Sequence, residues 1–312
     1  MCGENSNMTF IEYNIDKGNV GDEMFLSVCT PTFNRSYTLN RTYNSLNEQT
    51  NKNFEWIIID DGSIDDTKEK VENWIKEASF PIKYFYQENS GKHMALNKAV
   101  LEAAGKVFTC LDSDDWFYSN TTNLIEEYWY SLSKQSNIAG LIGLDTYEDG
   151  SLVGDEFPKN IHKMNWIDMK YKYKIKGDKA YFFNLDILKK YDFPNFKGNK
   201  HMPPSYQLYL ISKDYNMVVI NKPLKFVEYM ADGITKNIRK QYIRSPENYA
   251  LYRLEIMNLI PNKKRKIINA IHYNTCLFMT NEKFRVMGFK NKLLVFITKP
   301  LGYILYQYFK RA

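Results

Sequence analysis

Short apolar runs alternate with polar stretches of helical period through the first third of the chain. Phe25-Leu26-Ser27-Val28-Cys29-Thr30 stops at Pro31-Thr32, and Asn34-Arg35-Ser36 opens a helical stretch through Leu46. Phe54-Glu55-Trp56-Ile57-Ile58-Ile59 stops at Asp60-Asp61-Gly62-Ser63. A helix follows, with Asp65-Asp66-Thr67 as N-cap chemistry and Val71, Trp74 and Ile75 as its apolar stripe. Ile82–Tyr86 is a third run. Gly91-Lys92-His93 then leads into a helix bearing Met94, Leu96, Val100 and Leu101, before a fourth run over 107–111. Each run is too short for a globular helix and rich in β-formers, so it reads as a buried strand. Four strands alternating with three helices predict an open, mostly parallel, Rossmann-like α/β sheet with helices on both faces.

Beyond residue 120 the pattern is mixed. Ile138 to Leu144 reads as a strand, and Tyr171–Ile175 alternates as a strand would. Lys179–Phe183 is a short strand ahead of a helix at Asp186–Tyr191. Val218–Ile220 and Lys225–Tyr229 are two late strands, and after Asp232-Gly233 the period becomes helical. This divides the chain into a polar, acidic leader or edge element over 1–23, an α/β domain over 24–235 and a basic helical region over 236–312.

Composition sharpens this division. With 312 residues and 44% apolar content, the chain can build one large core and an appendage. The net charge of +6 hides an asymmetry. Residues 236–312 carry sixteen Lys/Arg against three acids, a net of +13, which leaves −7 on residues 1–235. The four cysteines have no metal-type spacing. Cys29 and Cys110 fall inside apolar runs, so they read as buried thiols in a reducing, cytoplasmic setting. The N-terminus lacks the charged-then-apolar pattern of a secretion signal.

Candidate chemistry gathers at the strand ends. The fourth run closes on Asp112-Ser113-Asp114-Asp115. Carboxylates at i and i+2 leave a strand end on one side, which suits a shared hard cation such as Mg²⁺ or Mn²⁺ that keeps positions open for phosphate oxygens. The same four residues would also serve as a solvated acidic turn ahead of the helix starting near Thr121. Pro31-Thr32-Phe33-Asn34, Asp60-Asp61, the Asn89–His93 stretch and Asp112–Asp115 all lie at the carboxyl ends of strands, where open α/β sheets bind ligands. No Gly-x-Gly-x-x-Gly follows the first strand and no Gly-x4-Gly-Lys-Ser/Thr is present, which argues against dinucleotide and P-loop sites.

Taken in order, Thr30–Arg35, Ile58–Ser63, Asn89-Ser90-Gly91-Lys92-His93 with Ala95-Leu96-Asn97, and Leu111–Asp115 resemble the family 2 glycosyltransferases of GT-A fold. A weaker likeness continues through Gly177-Asp178-Lys179 and Glu228-Tyr229-x-x-Asp232-Gly233. The resemblance implies a nucleotide-diphospho-sugar donor, usually uridine-linked, a divalent metal, and inversion by direct displacement. It implies that Pro31 and Thr32 border the base pocket, that Asp61 accepts from nucleobase or ribose, and that Lys92 or His93 lies near the diphosphate. Asp112 would approach the ribose, and Asp114, with Asp112, would hold the Mn²⁺ or Mg²⁺. Asn34 and Ser113 belong with the donor-binding residues, and Asp115 with the catalytic ones.

One position departs from the family. Where a Glu is expected after a proline, the chain reads His201-Met202-Pro203-Pro204-Ser205, and Pro204 has no proton-accepting side chain. Asp178 and His201 are the candidate substitutes for the base. A transferase-like module that binds nucleotide-sugar or glycan without efficient turnover is the alternative.

The basic tail ends in the apolar stretch Leu293–Tyr306, interrupted by Lys299 and Pro300. It is too broken for a spanning helix and predicts an amphipathic segment lying on an anionic membrane, at the inner face. The acceptor expected beside it is a glycan or lipid-linked saccharide, as in surface polysaccharide synthesis. A helical bundle packed on the α/β domain is the other reading of the tail. The −7 on the larger part of the chain would repel a polyanion, which argues against nucleic acid as a partner.

Overall fold

The computed structural model describes residues 24–131, 137–230, 238–280, 282, 284, 286 and 288–311. The leader over 1–23 and Asp232-Gly233 lie outside them. The chain divides into two compact units, each with its own core. Of the described residues, those of 24–163 with 176–190 and 217–228 form the first, and those of 164–175, 191–216 and from 229 onward form the second.

The first unit is the predicted α/β sheet. β1 (Leu26–Thr32), β2 (Phe54–Asp60) and β3 (Ile82–Tyr86) alternate with α1 (Ser36–Asn47), α2 (Thr67–Glu77) and α3 (Lys92–Glu102), and β4 (Val107–Cys110) follows. Then come the two-residue β5 (Trp116–Phe117), α4 (Thr121–Ser131), β6 (Ile138–Thr146) and the two-residue β7 (Lys163–Met164). β8 (Lys179–Asn184), the four-residue α5 (Leu185–Leu188) and β9 (Asn216–Phe226) complete it. The sheet order is β3-β2-β1-β4-β8-β6-β9-β5, with β7 on β9. β3, β2, β1 and β4 are mutually parallel. The far half is antiparallel: β8 on β4, β6 on β8 and β5 on β9.

β2 is buried along its whole length, as a strand covered on both faces must be. Phe54, Trp56 and Ile58 join the core made with Leu39, Tyr43 and Leu46 of α1 and Val71, Trp74 and Ile75 of α2. The alternate residues Ile57 and Ile59 point to the other face, the side on which α3 packs. Tyr43 stacks on Trp74 at 4.7 Å and 10°. Two strand expectations change in the second half. Tyr171–Ile175 is not a strand, because Asp168–Lys172 closes into a wide helical turn. Val218–Ile220 and Lys225 belong to one continuous strand, β9.

The second unit contains α6 (Ser205–Ile211), α7 (Ile238–Arg244), α8 (Pro246–Leu259), α9 (Lys263–Leu277) and α10 (Phe289–Lys310). Its core is aromatic: Tyr242, Tyr249 and Tyr273 with Met257, Ala270 and Phe309. Tyr242 stacks on Tyr249 at 3.9 Å. Arg253 donates from Nε to the Tyr242 hydroxyl (2.6 Å) and from Nη1 to Asn269 Oδ1 (3.0 Å), so its buried charge is hydrogen-bonded.

Glu55, 1% exposed, ties the parallel half together. Its Oε1 accepts from Ser27 Oγ on β1 (2.6 Å) and from the backbone N–H of Ala104 (2.7 Å), while Oε2 meets Lys83 Nζ on β3 (2.7 Å). Removing one partner of such a buried pair costs about 3–5 kcal/mol. Glu55→Ala is therefore expected to lower unfolding free energy by that amount in urea denaturation.

Candidate active site

The carboxyl ends of β1, β2 and β4 and the start of α3 build one polar rim. Its loops are stitched by their own side chains. Asn34 takes a left-handed conformation (φ 52°) after β1. Its N–H donates to Ser63 Oγ (2.9 Å), and its Oδ1 accepts from the N–H of Ile64 (2.9 Å), which joins the β1–α1 and β2–α2 loops. Asp60 accepts from the Ser63 N–H (2.7 Å) and the Tyr84 hydroxyl (2.7 Å). Asp61 accepts from Gln87 Nε2 (2.7 Å), the Ser90 N–H (2.8 Å) and the Gly91 N–H (2.8 Å). Three of its roughly four acceptor positions thus serve the loop ahead of α3. Pro31 sits opposite Ile59 within β1, and Thr32 is opposite Asp60. The Thr32 hydroxyl is buried without a hydrogen-bond partner. His93 is buried in the first turn of α3.

Lys92, the first residue of α3, crosses to the β4 end and donates to both oxygens of Asp112 (2.5 and 2.7 Å). Burial works against the Asp112 charge, but Lys92 and then Lys225 outweigh it and hold the carboxyl at about 2. Asp114 lies two residues on. Burial and the neighbouring Asp112 raise its carboxyl, and Lys92 and Arg35 offset part of the rise. Ser113 is buried. Thr42 of α1 anchors this turn by donating to the Asp115 carbonyl (2.9 Å).

Behind the rim lies a charged cluster that the sequence reading did not assemble. Asp115 Oδ2 accepts from Lys225 Nζ of β9 at 2.7 Å. Lys225 also stands 3.8 Å from Asp145, at the end of β6. Asp145 is fully buried, and neither of its carboxylate oxygens has a hydrogen-bond partner. Burial pushes Asp115 up to about 7 against the pull of Lys225, with Asp112 adding to the rise. Burial likewise pushes Asp145 up to about 6 against Lys225, with Asp178 adding to the rise. Burial disfavours the Lys225 charge, yet Asp115, Asp145 and Asp112 together lift its pKa well above the usual lysine range. Asp145 ends an apolar strand and shows no motif. Its only sequence signal is one carboxylate closing the run Ile138–Leu144.

The two candidate bases stand in different units. Asp178 is exposed, in the first unit, just before β8. Its loop is pinned by Gly154 and Gly177, both at positive φ, which pack backbone against backbone. A Cβ on Gly177 would sit 2.1 Å from the Val153 carbonyl oxygen. The neighbouring Lys179 donates to the carbonyls of Val153, Lys176 and Asp178. His201 belongs to the second unit. Its N–H donates to Ser245 Oγ (3.0 Å), its carbonyl accepts from Asn248 Nδ2 (3.0 Å), and its ring stacks on Tyr249 at 5.7 Å. Pro204 occupies the N-cap position of α6 and brings no carboxylate.

A hard oxygen donor at Asp114 fits a Mg²⁺ or Mn²⁺ ion, which takes one or two carboxylates and completes its shell with phosphate oxygens, whereas both Asp112 oxygens already accept from Lys92 and would have to share with the ion. Among the described residues no group of three or more His, Cys, Asp or Glu side chains forms a cage of its own. The raised carboxyl of Asp114 marks a charge that a cation would stabilise.

The parallel half-sheet, its antiparallel extension and the acidic turn after β4 define an α/β protein of GT-A type. The glycosyl transferase family 2 profile matches residues 27–190, more than half of the chain, and the chain belongs to that family. A glycosyltransferase of Rickettsia bellii, itself uncharacterized, is 34% identical over 144 residues, which are 44% of this chain and 20% of that one. The chain thus matches about a fifth of that relative's length. A Campylobacter jejuni GalNAc(5)-diNAcBac-PP-undecaprenol beta-1,3-glucosyltransferase is 27% identical over 258 residues, 80% of this chain and 79% of its own. Among solved structures, S. aureus TarS with UDP bound superposes with a TM-score of 0.57 at 19% identity, over 83% of this chain and 73% of that one.

Two outcomes follow from the Lys225 cluster. Lys225→Met leaves Asp115 and Asp145 buried without their cation, which costs about 3–5 kcal/mol. Urea unfolding at pH 7 reads that loss, and the deficit shrinks at pH 5, where the carboxyls protonate. Asp145 holds its proton more tightly in the native state than in the unfolded chain. The stability this confers is fully present below about pH 4 and is lost as pH rises through about 6. Asp145→Asn is expected to remove that slope, worth about 2–3 kcal/mol, from the pH dependence of unfolding.

Proposed function

We propose that the chain is an inverting glycosyltransferase that moves a sugar from a nucleotide-diphospho-sugar to a glycan or lipid-linked saccharide. The observation that carries this reading is the convergence of Asp112, Asp114 and Lys92 at the carboxyl ends of the parallel strands, beside loops already held by Asn34 and Asp61. A uridine-linked donor is favoured by the UDP bound in the TarS relative. The undecaprenol-linked saccharide named for the C. jejuni relative favours a lipid-linked acceptor.

In this reading Thr32 and Pro31 border the base, and Asn34, Asp61 and Ser113 shape the donor pocket. Lys92 and His93 lie toward the diphosphate. Asp114, with Asp112, would hold a Mn²⁺ or Mg²⁺ ion, which supplies charge neutralisation to the leaving diphosphate. The acceptor hydroxyl oxygen forms the new bond to the anomeric carbon as the bond to the diphosphate oxygen breaks. The hydroxyl proton passes to a carboxylate or an imidazole. Asp178 is the first assignment for that acceptor, because it shares a unit with the donor-side residues and touches the Asp145 field. His201 is the second. Asp115, paired with Lys225, keeps the acidic turn in place.

Pro204 favours the second reading, a module that binds nucleotide-sugar or glycan with little turnover, since the family's carboxylate is missing there. Turnover of a nucleotide-sugar panel with Mn²⁺ and a lipid-linked or glycan acceptor separates the two. Release of nucleoside diphosphate is expected, with a fall of at least about 10²-fold in Asp114→Ala. A fall of about 10²–10⁴-fold is expected in Asp178→Asn. Retained activity in Asp178→Asn moves the base to His201, and donor binding without release in the presence of acceptor selects the binding module.

A further inference from the structure

We propose that α10 is a docking surface for an anionic phospholipid bilayer, lying in its interface through the face turned away from α9. The inference deepens the membrane side of the reading above and names the surface that makes the contact. α10 is 22 residues long and contains no acidic residue. Its inner face is locked. Thr298, Gly302 and Phe309 are buried in the second unit. Asn274 Nδ2 of α9 donates to the Val295 carbonyl (2.8 Å) and to Thr298 Oγ1 (3.0 Å), and Thr275 Oγ1 donates to the Gly302 carbonyl (3.2 Å). Gly302 permits that approach, since a Cβ there would lie 2.4 Å from the Asn274 Cβ. These contacts set the rotation of α10 about its axis.

With that rotation fixed, the outer face is apolar and open. Phe289 is 79% exposed, Phe296 73%, Ile297 63%, Ile304 63% and Tyr308 63%. Their spacing follows the helical period, so they form one stripe rather than scattered surface residues. Contiguous exposed apolar surface of this kind marks an interaction site. Lys292, Lys299 and Lys310 fall at intervals of seven and eleven, on one flank of the stripe. An apolar stripe bordered by lysines is the pattern of a helix lying in a bilayer interface, with its lysines on anionic headgroups.

The charge selects the occupant. A second copy of α10 would bring the same four lysines, Lys290 included, and no acid to pair with them, whereas an anionic headgroup layer neutralises them. No helix among the described residues is long and apolar enough to cross a membrane, and Lys299-Pro300 interrupts the apolar run of α10, so the helix lies on the surface.

Co-sedimentation of the full chain with vesicles tests this. Binding is expected to phosphatidylglycerol/phosphatidylcholine vesicles and to be much weaker on pure phosphatidylcholine. Each lysine facing the surface is worth roughly fivefold in partitioning, so Lys292→Glu/Lys299→Glu/Lys310→Glu loses at least about 10²-fold. Phe296→Glu/Ile304→Glu, at exposed positions, is expected to abolish sedimentation while far-UV circular dichroism and thermal midpoint stay those of the wild type. No binding by the wild type, or equal binding by the folded Phe296→Glu/Ile304→Glu chain, overturns the proposal. A wild-type dimer in sedimentation velocity that this variant dissociates, without vesicle binding, assigns the face to a second copy and overturns it too. Vesicle binding needs no turnover. Binding that persists without sugar transfer therefore supports this inference while counting against the proposed reaction. Transfer to a soluble acceptor without vesicle binding overturns this inference alone.

Discussion

The placing of several carboxylates behind the ends of a buried sheet is the constraint on which the first unit depends. Asp115 and Asp145 are buried after β4 and at the end of β6, where an uncompensated charge is costly, while Asp112 beside them stays partly open to solvent. Two lysines from distant parts of the chain resolve this. Lys92 arrives on α3 and takes Asp112, while Lys225 arrives on β9 and is shared by Asp115 and Asp145. Burial outweighs this compensation, so the carboxyls of Asp115, Asp145 and Asp114 are all raised. The topology supports the arrangement, since β9 reaches this position only by joining the antiparallel half of the sheet beside β6.

The parallel half was legible because its strands are buried on both faces and its helices are amphipathic. A continuous apolar run such as Trp56–Ile59 has few other structural solutions. The rim was legible for a related reason: polar clusters that interrupt such runs at the same end of successive strands have one place to go. The antiparallel half was harder to read. Asp145 and Lys225 lie on strands 80 residues apart in the chain, and no local period ties them. The alternation at Tyr171–Ile175 suggested a strand, but the segment belongs to the second unit and closes into a turn there. Likewise the two late strands read at Val218–Ile220 and Lys225–Tyr229 are joined, since β9 runs through the polar 221–223 between them.

The division of the chain into units also reached beyond composition. The basic tail stood out by charge, but the helical unit also recruits 164–175 and 191–216, which carry no charge signature. Tyr209 of α6 packs with Ile256 and Ile260, so the apolar residues of these inserts serve the helices rather than the sheet. His201 is part of that recruitment. Its backbone is tied at both ends to the start of α8, through Ser245 and Asn248.

The Asp61 carboxylate has a consequence for kinetics. By accepting from Ser90 and Gly91, it holds the segment before α3 in one conformation with no ligand needed to order it. A molecule arriving at this rim meets a preformed surface on that side. The entropic cost of arranging the loop is met during folding and not at each encounter. Ordering of that loop therefore adds no step to an encounter on its side of the rim.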